Sequence, residues 1–231
     1  MPIIETYKKY RFGSFQGLGA KKMDQLVRHF ETPPEPEPGV LTGRTGTHLI
    51  ELQDMGQAVI KHYLRGGILC KLNRRTHLAI KNSRAQLEFE LLSHIQDIGV
   101  NAPQPIAFAS RGRLFYQTWL ITKSIPDVKN LSEIIPSESE KAEKAIVNLA
   151  AQVNILISHH ILHVDLHPGN VLVDPEERVY IIDFDKAKTG HTKKHALAKY
   201  YLRRWERAVS KYRLPGFVNK TMRDNLEYWR V

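Results

Sequence analysis

Residues 163–185, HVDLHPGNVLVDPEERVYIIDFD, constrain this chain more than any other stretch. Asp165 stands two positions after His163, and Asn170 five positions after Asp165. Two apolar, mostly β-branched runs, 171–173 and 179–182, flank Asp174 and Pro175. Such runs around a turn-forming pair predict a hairpin. A hairpin brings its ends together, so Asn170 at the entry and Asp183 at the exit are expected as neighbours. Asp165 lies just upstream. An acid, an amide and a second acid in one small volume are what phosphoryl transfer requires. One carboxylate orients the attacking hydroxyl, while an amide oxygen and another carboxylate hold Mg²⁺ on the nucleotide phosphates. The bland alternative is a polar turn, a hairpin and a solvated acid pair.

The rest of the composition narrows the setting. A chain of 231 residues holds one or two domains with a real core. No apolar run reaches the length of a membrane span, and the N-terminus has no signal-peptide core. The single cysteine, Cys70, excludes an internal disulfide framework and fits a reducing compartment. A formal net charge of +10 favours anionic partners such as phosphorylated substrates or an acidic membrane face. Nothing matches a nucleic-acid module, so no nucleic-acid partner is expected.

Upstream of the hairpin, residues 21–30 carry Met23, Leu26, Val27 and Phe30 at helical spacing, and residues 32–39 (TPPEPEPG) read as an extended connector. Gly43 and Gly46 sit among strand and turn formers, where glycine lets backbone N–H groups approach a phosphate closely; a plain hairpin turn explains them equally well. Residues 57–63 read as a strand containing Lys61. A lone strand lysine is ordinarily a solvated edge residue. Residues 84–95 read as a helix with Leu87, Leu91, Leu92 and Ile95 inward. Glu88, with Glu90 as competitor, is the candidate to hold Lys61; an ordinary helix-surface pair with Arg84 is the alternative. Gly99 ends that helix. Residues 106–108 and 114–121 form the next strand pair, and residues 140–158 a long helix capped by Ser132 or Ser137. His163 is expected to bond the loop backbone, His167 to touch a phosphate or substrate, and His159-His160 to form a polar turn. The basic run from Lys186 to Arg213 reads as a solvated helix face, which also suits an anionic acceptor or headgroups.

Gly43, Lys61, Glu88, His163, Asp165, Asn170 and Asp183, in that order, resemble the protein-kinase-like pattern, with the catalytic loop H-x-D-x-x-x-x-N and residues 182–185 standing where D-F-G stands. More narrowly, the stretches LTGRTGT, VIKHYLRGG, RAQLEFELL, HVDLHPGNVLV and YIIDFDKAK resemble the bacterial lipopolysaccharide kinases, in the branch acting on 3-deoxy-D-manno-octulosonic acid (Kdo). The resemblance implies an α+β, bilobal protein-kinase-like fold. Residues 1–39 would be an extension and connector, and 40–123 an antiparallel-sheet nucleotide-binding lobe with one key helix. Residues 124–231 would form a mostly helical lobe carrying the catalytic loop, metal and acceptor. It implies ATP and Mg²⁺ as cofactors and Kdo–lipid A, phosphorylated at the 4-hydroxyl, as acceptor. The work would be peripheral, at the cytoplasmic face of the bacterial inner membrane. Asp165 would be catalytic, Asn170 and Asp183 metal ligands, and Lys61, Glu88, Gly43 and Gly46 nucleotide-binding. Asp185 departs from the glycine of D-F-G, which argues against a flipping activation segment. The short remainder lacks A-P-E, which favours a non-peptide acceptor. The alternatives are another kinase-fold phosphotransferase, such as a heptose kinase, an aminoglycoside-type enzyme or a compact serine kinase, and a non-catalytic membrane-binding module.

Overall fold

The computed structural model describes residues 1–32, 46–63, 77–78, 82–112 and 115–229. Gly43, Cys70 and most of the proline-rich connector lie outside them. The fold is of the α+β class expected, divided into two compact units. Among the described residues no helix is long and apolar enough to cross a membrane.

The first unit comprises Met1–Ser93 and Gln104–Ser124. In chain order it contains β1 (Ile3–Tyr7), β2 (Tyr10–Ser14), α1 (Gly19–Glu31), β3 (Gly46–Leu52), β4 (Gly56–His62) and β5 (His77–Leu78). Helix α2 (Arg84–Asp97) follows, its last four residues counted with the second unit, then β6 (Pro105–Arg111) and β7 (Phe115–Lys123). The sheet runs β1-β2-β6-β7-β4-β3, with β5 on β7 and every pairing antiparallel. Residues 1–31 therefore build into this sheet. Their helix lays Met23, Leu26 and Val27 on the core formed by Tyr10, Phe12, Ile60 and Trp119, where the Phe30 ring stacks on Trp119 at 4.5 Å.

Strand alternation gives β4 two different faces. Ala58 and Ile60 enter that core. Lys61 points the other way, with Tyr63 beyond it, toward α2. Here the structure corrects the sequence reading of α2. The buried stripe is Ala85, Glu88, Phe89, Leu92 and Ile95, whereas Leu87 is 53% exposed. Phe89 sets the helix rotation by stacking on Phe15 at 4.7 Å and meeting Phe108 edge-on at 5.3 Å. That rotation carries Glu88 inward. Gly99, at φ +86, ends the turn that follows, with the Val100 N–H bonded to the Ile95 carbonyl at 3.0 Å.

The second unit comprises His94–Pro103 and Ile125–Val231. It contains β8 (Lys129–Asn130), α3 (Leu131–Ile134), α4 (Ser139–Ser158), β9 (Ile161–Leu162), β10 (Val171–Val173), β11 (Val179–Ile181), β12 (Lys188–Thr189), α5 (Lys194–Lys211) and α6 (Phe217–Asn225). The inner face of α4 is apolar at helical spacing, including Ala145, Ile146, Leu149, Val153, Leu156 and Ile157, all buried. Asn154 on the same face fastens the C-terminal end, donating to the Asn225 carbonyl and accepting from the Glu227 N–H, both at 3.1 Å. The serine caps are corrected. Asn130 caps α3 in a capping box with Glu133, and no side chain caps α4. Ser132 spends its hydroxyl on Asn130, and Ser137 on the Glu133 carbonyl.

Candidate active site

The hairpin forms as its residues dictate. Val171 pairs with Ile181 and Val173 with Val179, and the Ile182 N–H bonds the Asn170 carbonyl at 3.0 Å. Asn170 also turns its side-chain amide back to donate to the Asp165 carbonyl at 3.0 Å. With its NH₂ so occupied, the amide keeps its oxygen as a separate acceptor. Asp183, one residue past the pairing, adopts φ +66. For a residue other than glycine this left-handed backbone costs on the order of 1–3 kcal/mol, and such strain concentrates at functional sites. Its effect is to leave Asp183 exposed while Phe184 is buried. One short loop and one hairpin thus bring together Asp165, Asn170 and the backbone on which Asp183 stands.

Buried groups hold the loop from behind. The Tyr201 hydroxyl donates to the Ile161 carbonyl at 3.0 Å and accepts from the His163 N–H at 2.7 Å. The His163 ring bonds the Ile182 carbonyl through Nε2 at 2.9 Å and meets Phe184 edge-on at 4.6 Å. It is a backbone clamp, as its position in the sequence suggests. Burial lowers its proton affinity, opposed mainly by that carbonyl bond, and burial raises the Tyr201 phenol. His167 accepts from the Gly169 N–H through Nδ1 at 3.0 Å, which fixes the tautomer with the proton on Nε2. A Cβ at position 169 would lie 2.8 Å from that ring, so the turn needs glycine. Asn130 then donates to the Gly169 carbonyl at 2.8 Å, tying the loop to β8.

Asp165 has an unanticipated partner. Arg204, in the middle of α5, directs Nε to Oδ1 of Asp165 at 3.0 Å and Nη2 to the same oxygen. Lys199, Arg203 and Arg207 on the same helix are exposed, as a solvated basic face requires. Arg204 differs because it sits three residues after buried Tyr201 and four before buried Ala208, at the edge of the apolar stripe. That offset was the signal available in the sequence.

In the first unit, the Lys61 ammonium lies 2.9 and 3.1 Å from the two carboxylate oxygens of Glu88. Glu90 instead bonds Gln86, at 3.0 Å. Glu88 is 4% exposed and also accepts from the hydroxyl of buried Tyr63, a residue the sequence reading passed over. Its place two positions after Lys61, hence on the same strand face, was the clue. Gly46 opens β3 opposite His62. Among the described residues no group of three or more His, Cys, Asp or Glu side chains is arranged to hold a metal, and His160 uses its ring on the Thr192 carbonyl at 2.8 Å.

The model of the lipopolysaccharide kinase (Kdo/WaaP) family matches residues 39–219. A 3-deoxy-D-manno-octulosonic acid kinase of Vibrio cholerae serotype O1 is 33% identical over 178 residues, covering 75% of this chain and 75% of that protein. The Vibrio vulnificus (strain YJ016) protein of the same name is 36% identical over 155 residues, covering 64% of this chain and 63% of its own length. Among solved structures, the chain is similar to the Cydia pomonella granulovirus kinase PK-1, at 14% identity and a TM-score of 0.46, covering 74% and 58% of the two chains.

The buried loop histidine predicts a pH dependence of stability. Its folded proton affinity is depressed, so below the ordinary histidine value of about 6.5 the unfolded chain takes up a proton that the folded loop refuses. Stability is therefore full above that value and falls as pH drops below it, by at most about 1.4 kcal/mol per pH unit for one group. Urea midpoints measured from pH 7 to pH 5 should fall, and less steeply in His163→Gln. Equal slopes in the two proteins would remove His163 as the cause.

Proposed function

The chain belongs to the lipopolysaccharide kinase (Kdo/WaaP) family and is a phosphotransferase, and from that premise we propose that it moves the γ-phosphoryl group of ATP to the 4-hydroxyl of Kdo on the lipid A-linked inner core. The observation that carries this reading is the convergence of Asp165, Asn170 and Asp183 through one loop and one hairpin. In this reading the acceptor oxygen attacks the γ-phosphorus while the bond to the β–γ bridging oxygen breaks. ADP departs, and the hydroxyl proton passes to Asp165. Little basicity is needed in a loose transition state, so Asp165 acts chiefly by orienting the hydroxyl.

The donor set suits a hard divalent cation. Asn170 offers an amide oxygen and Asp183 an exposed carboxylate, the ligand types Mg²⁺ takes alongside substrate phosphates. Bound there, Mg²⁺ would neutralise phosphate charge. Lys61 takes the role of the phosphate lysine, held by Glu88 and, through the shared carboxylate, by Tyr63. The backbone at Gly43 and Gly46 is assigned to the phosphates by sequence order.

Incubation of the protein with Mg-ATP and Kdo–lipid A, followed by mass analysis, should show one added phosphate. Transfer to a heptose or peptide acceptor with none to Kdo–lipid A would overturn the assignment. Asp165→Ala should lower turnover by roughly 10³-fold while nucleotide affinity stays near that of the parent protein.

We further propose a peripheral position on the cytoplasmic face of the inner membrane. The net charge of +10 and the exposed side chains of Lys186, Lys188, Lys193, Lys199 and Arg203 favour anionic headgroups. Binding to vesicles containing anionic lipid should weaken as ionic strength rises past about 0.15 M. Salt-independent binding, or none, would contradict it.

A further inference from the structure

The pairing of Arg204 with Asp165 uses one oxygen of the carboxylate and only part of the guanidinium. Both contacts go to Oδ1. The Asp165 side chain is 48% exposed and that of Arg204 is 20% exposed, so each remains within reach of a ligand. A guanidinium carries five N–H donors in a planar fork, and Arg204 has no hydrogen-bond partner other than Asp165 among the described residues. A cation this close to the acceptor's docking point, with donors left over, suits a second anion.

The surroundings extend the same chemistry. Lys211 is the last residue of α5, seven positions after Arg204 and so on nearly the same helical stripe. It has no ion-pair partner among the described residues, and its ammonium lies 5.2 Å from the centre of the Tyr212 ring. Tyr212 is 51% exposed, and its ring centre is 6.3 Å from that of His167 on the catalytic loop. The His167 tautomer leaves Nε2–H as a donor. The Arg204 guanidinium on Asp165, the imidazole of His167, and the Tyr212 ring and Lys211 ammonium beyond it thus form one cluster around His167 within the second unit. Cations meet acidic groups, aromatic faces meet the apolar face of a sugar ring, and neither feature is needed to hold ATP.

We propose that Arg204, supported by Lys211 and Tyr212, forms the acceptor subsite, in which the guanidinium binds the carboxylate of an acidic sugar while Asp165 takes a hydroxyl of the same sugar. The proposal rests on the function proposed above and adds to it the group that recognises the acceptor. Arg204 acts twice, orienting Asp165 through Oδ1 and selecting sugars that carry an acid. A neutral sugar ester would leave the remaining N–H donors of Arg204 without a charged acceptor beside the ammonium of Lys211, itself unpaired among the described residues, which is a means of rejecting it.

The test compares Kdo–lipid A with its Kdo methyl ester, which removes the negative charge and keeps the hydroxyls. The parent protein should prefer the acid by at least roughly 10-fold in kcat/KM. Arg204→Gln should lose that preference, with KM rising for the acid and changing little for the ester; Arg204→Lys should restore part of it. Lys211→Gln, at the exposed helix end, should weaken the preference about 3-fold through KM alone. Equal losses on both acceptors, confined to kcat, would make Arg204 a positioning residue only and overturn the subsite. Calorimetric titration of free Kdo and its methyl ester into the parent and Arg204→Gln proteins decides the same question without turnover. If the parent phosphorylates no Kdo acceptor, the proposed function fails. Binding that distinguishes acid from ester only when Arg204 is present would still uphold the subsite, and binding that does not would sink it.

Discussion

Antiparallel pairing of Val171 with Ile181 is the constraint from which the site follows. The pairing is short, but it fixes where the chain enters and leaves the hairpin. Asn170 and Ile182 become bonded neighbours, and Asp183 falls on the next residue, where a left-handed backbone leaves its carboxylate exposed. Val171, Leu172 and Val173 are all buried, so apolar alternation does not set the register; the turn does, with the Arg178 N–H bonded to the Asp174 carboxylate at 2.8 Å and the Asp174 N–H to the Arg178 carbonyl at 3.1 Å. The buried Tyr201, His163 and Phe184 carry that order back into the second unit.

The Lys61–Glu88 pair shows a different economy. Its side chains are 15% and 3% exposed, a setting in which desolvating two charges offsets most of their attraction. Such a pair adds little to stability relative to apolar packing, while removing one partner alone costs about 3–5 kcal/mol. The Tyr63 hydroxyl supplies a further donor that helps satisfy Glu88. The pair therefore holds the lysine in one place more than it stabilises the fold.

How far the sequence reveals this depends on the range of the interactions. The hairpin, the histidine clamp, the α4 core and the Gly99 stop were legible because neighbours in sequence determine them. Lys61 and Glu88 were legible through the resemblance of their order to the kinase pattern, and the rotation that Phe89 imposes on α2 is what brings Glu88 rather than Glu90 to the lysine. Arg204 was hidden because a basic run on a helix is usually solvent-facing, and only its offset from Tyr201 and Ala208 sets it apart. Asn130 was hidden for a related reason. Its bond to Gly169 spans 39 positions, and a short polar stretch before a helix announces nothing but a cap. The joining of β1 and β2 to the sheet is likewise long-range, with Arg11 pairing with Ser110.

In the proposed function the loop and hairpin present Asn170 and Asp183 as oxygen ligands to a divalent ion on the nucleotide. Electron paramagnetic resonance of Mn²⁺ bound with a non-hydrolysable ATP analogue tests it directly, because Mn²⁺ accepts the same hard oxygen donors as Mg²⁺. A protein-bound Mn²⁺–nucleotide signal is expected in the parent chain and should be lost or weakened at least roughly 10-fold in Asn170→Ala and in Asp183→Ala, with both variants still folded. A bound signal of unchanged affinity in both variants would contradict it.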